Sequence, residues 1–297
     1  MFSSEDFAAD ELAVVARLRS RFRGALLGLA IGDALAAPAQ YSKPGSFAPV
    51  RDLLGGGPFD LAPGTWTDDT ALSLLLTQSL IDCKGCDPTD QLERFRRWQR
   101  EGEGSASGEC LGITASVSRA LVDGAPAHGV ADGADAMVRT APLVLWHYAD
   151  EPSLLRDVAV MAGVTSHDVG TLAATTEFAH LLLRAVRGAS SEVLFNENLP
   201  GIPEAIPGNA CAARRLLDEV HTAMQGAKGF REAVLAAVNQ GGDADARAAV
   251  AGQLAGALFG VESIPASWLA TLARREAIEE TADALLAEVL VRLEAEG

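Results

Sequence analysis

The chain is poor in aromatic residues, cysteine and positive charge. Only 5% of its 297 residues are Phe, Trp or Tyr, whereas 48% are hydrophobic. A core without many large rings must be filled by Ala and Leu, and small side chains suit closely packed helices better than sheets. Strand signals are also scarce, because no stretch alternates cleanly between apolar and polar residues. The 24 Lys and Arg stand against 40 Asp and Glu, a formal net charge of −16. That balance argues against a nucleic-acid backbone or an anionic membrane as partner. A phosphate-bearing ligand stays open, since metal ions or backbone amides supply a local positive field.

Four cysteines (Cys83, Cys86, Cys110, Cys211) are too few for a disulfide scaffold. Cys83-Lys84-Gly85-Cys86 has the spacing of half a zinc site, but no second close Cys or His pair accompanies it, so it reads as a helix-end turn. The acidic N-terminus has no basic stretch leading into an apolar one. The apolar run Gly24 to Ala39 contains Asp33 and is too short to span a bilayer. The expectation is a soluble, cytoplasmic protein.

What is present is helical periodicity. Leu12, Val15, Leu18, Phe22, Leu26 and Leu27 predict a helix over residues 10–35, with a break or two, after a frayed lead-in at 1–10. Residues 42–64, rich in Gly and Pro, predict a long loop. Further helices are predicted at 70–83, 90–100, 113–122, 134–148, 152–164, 172–187, 209–224, 230–239, 246–259 and 274–294, with 198–207 as a connector. The fold class is all-α, a single compact domain over 1–297.

Two acidic clusters stand out, Thr67-Asp68-Asp69-Thr70 and Gly241-Gly242-Asp243-Ala244-Asp245. Each opens an apolar, small-residue run. Thr and Asp before a helix are ordinary N-caps. A cap uses one side-chain oxygen, however, and does not explain adjacent aspartates. Asp243 and Asp245, two apart in extended backbone, point the same way. Bunched carboxylates with an ordinary pKa of about 3.9 need compensation, and if the fold joins the clusters they suit a hard divalent cation. Asp33, inside an otherwise apolar helix, needs a partner; a neighbouring helix N-terminus and direct participation in the site are both open. His167, followed by Asp168 before a helix, is a candidate for lining the cleft, whereas His128, His147, His180 and His221 have no partners by spacing.

Arg21-Phe22-Arg23-Gly24, Gly32-Asp33-Ala34-Leu35-Ala36-Ala37-Pro38-Ala39-Gln40, Trp66-Thr67-Asp68-Asp69-Thr70 and the 241–260 block together resemble the ADP-ribosylglycohydrolase family, which includes the dinitrogenase-reductase-activating glycohydrolases. Met137-Val138-Arg139-Thr140-Ala141-Pro142 and Thr165-Ser166-His167 resemble further landmarks less closely. The resemblance implies an all-α fold with two divalent cations, Mg²⁺ or Mn²⁺, in a central cleft. It also implies hydrolysis of the bond between the anomeric carbon of ADP-ribose and an acceptor, on an ADP-ribosylated protein or an ADP-ribose-containing small molecule. Carried over by residue, Thr67, Asp68, Asp69 and Asp245 would hold one cation, and Asp243 and Asp245 would contribute to the second. Asp68, Asp69 and Asp245 would be catalytic; Asp33, Gln40, Gly112 and His167 would face substrate.

This sequence departs from that pattern in places. Gln40 stands where the family usually has Glu, and Ala246 where it has Thr, so the first cation site looks strong and the second weak or empty. The acidic residue usually found before Ile-Gly is missing around Gly112-Ile113-Thr114, and the usual Asn-Gly reads Ala134-Asp135. The leading expectation is therefore a metal-dependent ADP-ribosylhydrolase with an impaired second site. The alternatives are a diverged relative that binds ADP-ribose with little hydrolysis and a metal-dependent phosphohydrolase, the last distinguished by release of AMP or phosphate instead of ADP-ribose.

Overall fold

Glycines at positions 24, 28 and 32 recur every fourth residue, and on a helix that spacing makes a single bare stripe. In the computed structural model, which describes residues 4–123, 134–196 and 211–296, this stripe lies on α1 (Ser4–Ala36). It faces α12 (Ala244–Phe259), which presents Ala248, Gly252 and Gly256 in return. A Cβ on Gly24 would overlap the carbonyl of Gly256, one on Gly28 that of Gly252, and one on Gly32 that of Ala248. The pairing is antiparallel, so the end of α1 meets the start of α12. Backbones this close leave no room for side chains, which is why an aromatic-poor sequence builds a dense core here.

The other helices wrap this pair. In chain order they are α2 (Asp68–Cys83), α3 (Pro88–Glu101), α4 (Ala115–Asp123), α5 (Asp135–Val138), α6 (Thr140–Trp146), α7 (Glu151–Gly163), α8 (Val169–Val186), α9 (Ser191–Asn196), α10 (Ala212–Met224), α11 (Phe230–Val238), α13 (Ala266–Thr271) and α14 (Arg275–Glu296). Short 3₁₀ turns lie at Gly57–Phe59 and Val261–Ser263, and no strand occurs among the described residues. One contiguous apolar core runs through α1, α2, α6, α8, α10, α11, α12 and α14, a single compact all-α domain. Arg23 on α1 pairs with Glu279 and Asp283 on α14, fixing the outer helix to the central one. No described helix is long and apolar enough to cross a membrane.

Several expectations need correction. Helix α1 begins at Ser4 instead of fraying to residue 10, and it runs unbroken because α12 supports its glycine-rich half. The helix expected over 134–148 is interrupted at Arg139, which leaves helical geometry at φ −91° and ψ 24°. Pro142 sits in the first turn after the break, where its missing N–H needs no partner. Gln253 of α12, wholly buried, bridges the interruption by accepting from the Ala141 amide at 3.0 Å and donating to the Val138 carbonyl at 2.6 Å. Helices α9 and α13 were not foreseen. Cys83 closes α2 and Lys84 turns left-handed after it, the expected helix-end turn, and all four cysteines are free. The 198–207 connector and His128 lie outside the described residues.

Candidate active site

Antiparallel packing of α1 on α12 brings Asp33 and Gln40, near the end of the first, to the acidic N-terminus of the second. The loop after α1 is tied to the Gly241-Gly242 turn by reciprocal backbone bonds. Tyr41 N–H donates to the Gly242 carbonyl at 2.8 Å, and Gly242 N–H donates to the Ser42 carbonyl at 2.7 Å. Gly241 and Gly242 are both left-handed, at φ +67° and +66°, a conformation that glycine enters without penalty. Tyr41 is also left-handed, at φ +60°, and is held there by these bonds.

Asp33 delivers the second acidic pair. Its carboxylate accepts from the Thr67 amide at 3.0 and 3.1 Å and from Thr67 Oγ1 at 2.9 Å. It also accepts from the Thr70 amide at 3.1 Å and Thr70 Oγ1 at 2.7 Å. The N-terminus of α2 is thus capped from α1, while Thr67 at the cap position makes no side-chain capping bond. Asp68 and Asp69 in the first turn are relieved of that duty. Asp243 holds the cap position of α12 and likewise makes no capping bond. The ordinary N-cap explanation therefore applies to neither cluster. Both helix N-termini instead direct their positive ends towards one spot crowded with carboxylates.

That spot is a cavity of about 340 Å³ lined by Asp68, Asp69, Asp135, Asp243 and Asp245, with Tyr41 and Gly112 among its other walls. No Lys, Arg or His of the described residues lines it. Burial and mutual repulsion push the acids upward. Asp68 is raised by burial, then by Asp245, Asp33 and Asp135; Asp69 is raised by burial, then by Asp68 and Asp245. Asp245 is pushed up to about 8 by burial, then by Asp243 and Asp33. Asp243 is raised by burial first and Asp135 next. Tyr41, pushed up to about 12, is shifted by burial and then by the same aspartates.

Two oxygens of the cavity, Asp69 Oδ2 and Asp245 Oδ1, are buried without a hydrogen-bond partner, a costly state for a polar atom. The other Asp245 oxygen accepts from the Gln40 side-chain amide. A Glu at that position would repel Asp245; the neutral amide relieves it. Oxygen-only donors with orphaned lone pairs fit a hard divalent cation. In this arrangement no group of three or more acidic, His or Cys side chains among the described residues is set to hold a metal ion. Gln40 Nε2 occupies one Asp245 oxygen and leaves the other, Oδ1, for a cation.

The remaining candidates divide. Gly112, at φ +87°, lines the cavity so tightly that a Cβ would overlap Asp68 Oδ1. Asp33 is not among the lining residues; both its oxygens serve α2, the helix N-terminus alternative that the sequence had left open beside direct participation. Gln40 also stays out of the lining and acts through Asp245. His167 lines a different cleft, with Pro88, Thr89, Leu92 and Val160, because the turn before α8 lies against α3 and α7. His147 and His180 do have partners, Asp157 at 2.7 Å and Glu151 at 2.9 Å.

Sequence reasoning missed Asp135. It opens α5, is nine-tenths buried, and accepts from Thr114 Oγ1 at 2.8 Å and Ser116 Oγ at 2.5 Å. The available signal was a carboxylate standing in an Asn-Gly position, close to a wall that had lost its own acid. Ala246, partly lining the cavity, supplies no ligand atom.

The chain is similar to known proteins over most of its length. The profile of the ADP-ribosylglycohydrolase family matches residues 15–294. The chain is 32% identical to ADP-ribosylarginine hydrolase Tri1 of Serratia proteamaculans over 286 residues, 89% of this chain and 78% of that protein. It is 32% identical to the ADP-ribosyl-[dinitrogen reductase] glycohydrolase of Rhodospirillum rubrum over 288 residues, 91% of this chain and 97% of that one. A solved structure described as an ADP-ribosylglycohydrolase-related protein complex superposes with a TM-score of 0.79 at 37% identity, covering 92% of this chain and 99% of the other.

Proposed function

The chain belongs to the ADP-ribosylglycohydrolase family and is a glycosidic-bond hydrolase, and we propose that it is a metal-dependent ADP-ribosylhydrolase with one strong cation site and one impaired one. The observation that carries this reading is the pair of orphaned, buried oxygens, Asp69 Oδ2 and Asp245 Oδ1, at a cavity walled by five carboxylates. Without a cation they are unpaired polar atoms in a poorly solvated place; with one they are ligands. Asp68, Asp69, Asp245 and Thr67 would hold Mg²⁺ or Mn²⁺, while Asp243 reaches towards a second ion that Gln40 and Ala246 support poorly.

When bound, the cation supplies Lewis acidity and fixes ribose hydroxyls against the carboxylates. The chain's own residues do the rest. Asp33 holds α2 in place, so Asp68 and Asp69 meet substrate in a fixed orientation. Hydrolysis breaks the bond from the anomeric carbon to the acceptor, and the elements of water pass to the two halves. The positive charge that develops on the sugar is offset by the surrounding carboxylates. An ADP-ribosylated protein, with arginine as the modified residue, is the substrate class that the relatives' names suggest. A reducing cytoplasmic setting suits four unpaired cysteines.

A second reading has its own support. The Gln40 amide bonded to Asp245 quiets the site without metal, as in a relative that binds ADP-ribose but turns over slowly. Incubation of ADP-ribosylarginine protein with Mn²⁺ decides between them. Free ADP-ribose released over many turnovers supports the hydrolase; stoichiometric binding without release supports the second reading, and AMP or phosphate as product contradicts both.

A further inference from the structure

We infer that Tyr41 is the docking contact for the polypeptide that carries the modification, a positioning residue that seats protein-linked substrate at the cavity mouth. This rests on the reading of the cavity as an ADP-ribosylhydrolase site whose substrate is a modified protein. Tyr41 is the one aromatic residue among those lining the cavity, in a chain with only two tyrosines. It lines the cavity and is still 61% exposed, so it stands at the mouth and not on the floor. Its backbone is left-handed at φ +60°, where Gly or Asn sits easily and a bulky side chain is strained.

The fold holds the ring there from below. Reciprocal bonds between Tyr41, Ser42 and Gly242 fix the backbone. Phe47 of the same loop lies against Gly241, where a Cβ would meet the edge of its ring at 3.0 Å. Burial first, and then Asp245, Asp68, Asp243 and Asp69, raise the Tyr41 phenol. Those aspartates are the ones assigned to the cations, so the ring borders the place where the bond from sugar to acceptor is cut. Size decides what meets its exposed face. A cavity of about 340 Å³ admits a modified side chain with its sugar but not a folded protein, so the acceptor's main chain stays at the mouth. A tyrosine suits that contact: the ring buries apolar area at little cost in side-chain freedom, and the hydroxyl reaches backbone amides and carbonyls. A free ADP-ribosylated amino acid has no neighbouring chain to lay on the ring and gains nothing from it.

The test compares wild type, Tyr41→Gly and Tyr41→Phe, with Mn²⁺ present, on two substrates that share one bond. These are a protein ADP-ribosylated on arginine and free ADP-ribosylarginine. Glycine removes the ring and relieves the left-handed backbone, so Tyr41→Gly should melt no lower than wild type. Its KM for the modified protein should rise about tenfold, with kcat changed by less than about twofold. On free ADP-ribosylarginine both constants should stay within about twofold of wild type. Tyr41→Phe keeps the ring and should keep most of the affinity for the modified protein. An equal rise in KM for both substrates overturns the inference, because the ring would then serve the ADP-ribose portion they share. An unchanged KM on the protein overturns it too, as does a fall in kcat alone. A Tyr41→Gly protein that melts well below wild type would make the ring a structural prop instead. Wild type that releases ADP-ribose from neither substrate would bring down the functional reading together with the inference.

Discussion

Asp33 and Asp245 are both buried aspartates at helix ends of the same site, yet the fold treats them in opposite ways. Asp33 receives two amides and two hydroxyls from Thr67 and Thr70, so all four of those donors at the start of α2 have a partner. Asp245 has the Gln40 amide on one oxygen and nothing on the other. The first carboxylate is a structural fixture built by the chain for itself. The second is held in readiness for something the chain does not supply. Burial raises the pKa of both, but the donors around Asp33 pull against the shift, whereas Asp243 and Asp33 push Asp245 further, to about 8.

One substitution should therefore have opposite effects at the two positions. Asp33→Asn places an NH₂ against donors that need an acceptor, and urea unfolding should show a loss of about 3 kcal/mol. Equal stability of mutant and wild type would dissolve the distinction. Asp245→Asn should cut turnover by about two orders of magnitude while raising metal-free stability by roughly 1 kcal/mol, because repulsion is relieved and Gln40 keeps an acceptor.

The sign of the pH dependence sharpens the same contrast. Burial favours the neutral Asp245 carboxyl, so its contribution to stability is present at low pH and is lost as pH rises through about 8. Asp68 and Asp69 are raised in the same direction. In a chelator, the wild-type melting temperature should fall from about pH 4 to about pH 8, and the fall should be shallower in Asp245→Asn. A wild-type protein whose metal-free stability rises over that range would contradict the placement of these acids.

Much of this was legible in the sequence, and the remainder was hidden for identifiable reasons. Helical periodicity and the lack of alternation placed most helices, since those signals are local. The pairing of Gly24, Gly28 and Gly32 with Gly256, Gly252 and Ala248 was not readable, because a small-residue stripe does not name its partner. Adjacent aspartates before apolar runs marked the site, and the substitutions at Gln40 and Ala246 were visible as departures. The role of Asp33 was left open between capping and chemistry until Thr67 and Thr70 were seen around it. Asp135 was missed because its position relative to both clusters depends on the interruption at Arg139, which Gln253 repairs from another helix. His167 was misplaced for a related reason: a histidine beside a helix start carries no information about which cleft that start borders.

The central claim is that the two acidic clusters form one strong cation site and one that Gln40 and Ala246 leave impaired. Titration of the chelator-treated protein with Mn²⁺ by calorimetry tests it most directly. One tight equivalent per chain, with any second binding far weaker, is the predicted result; two equally tight equivalents, or none, would contradict it.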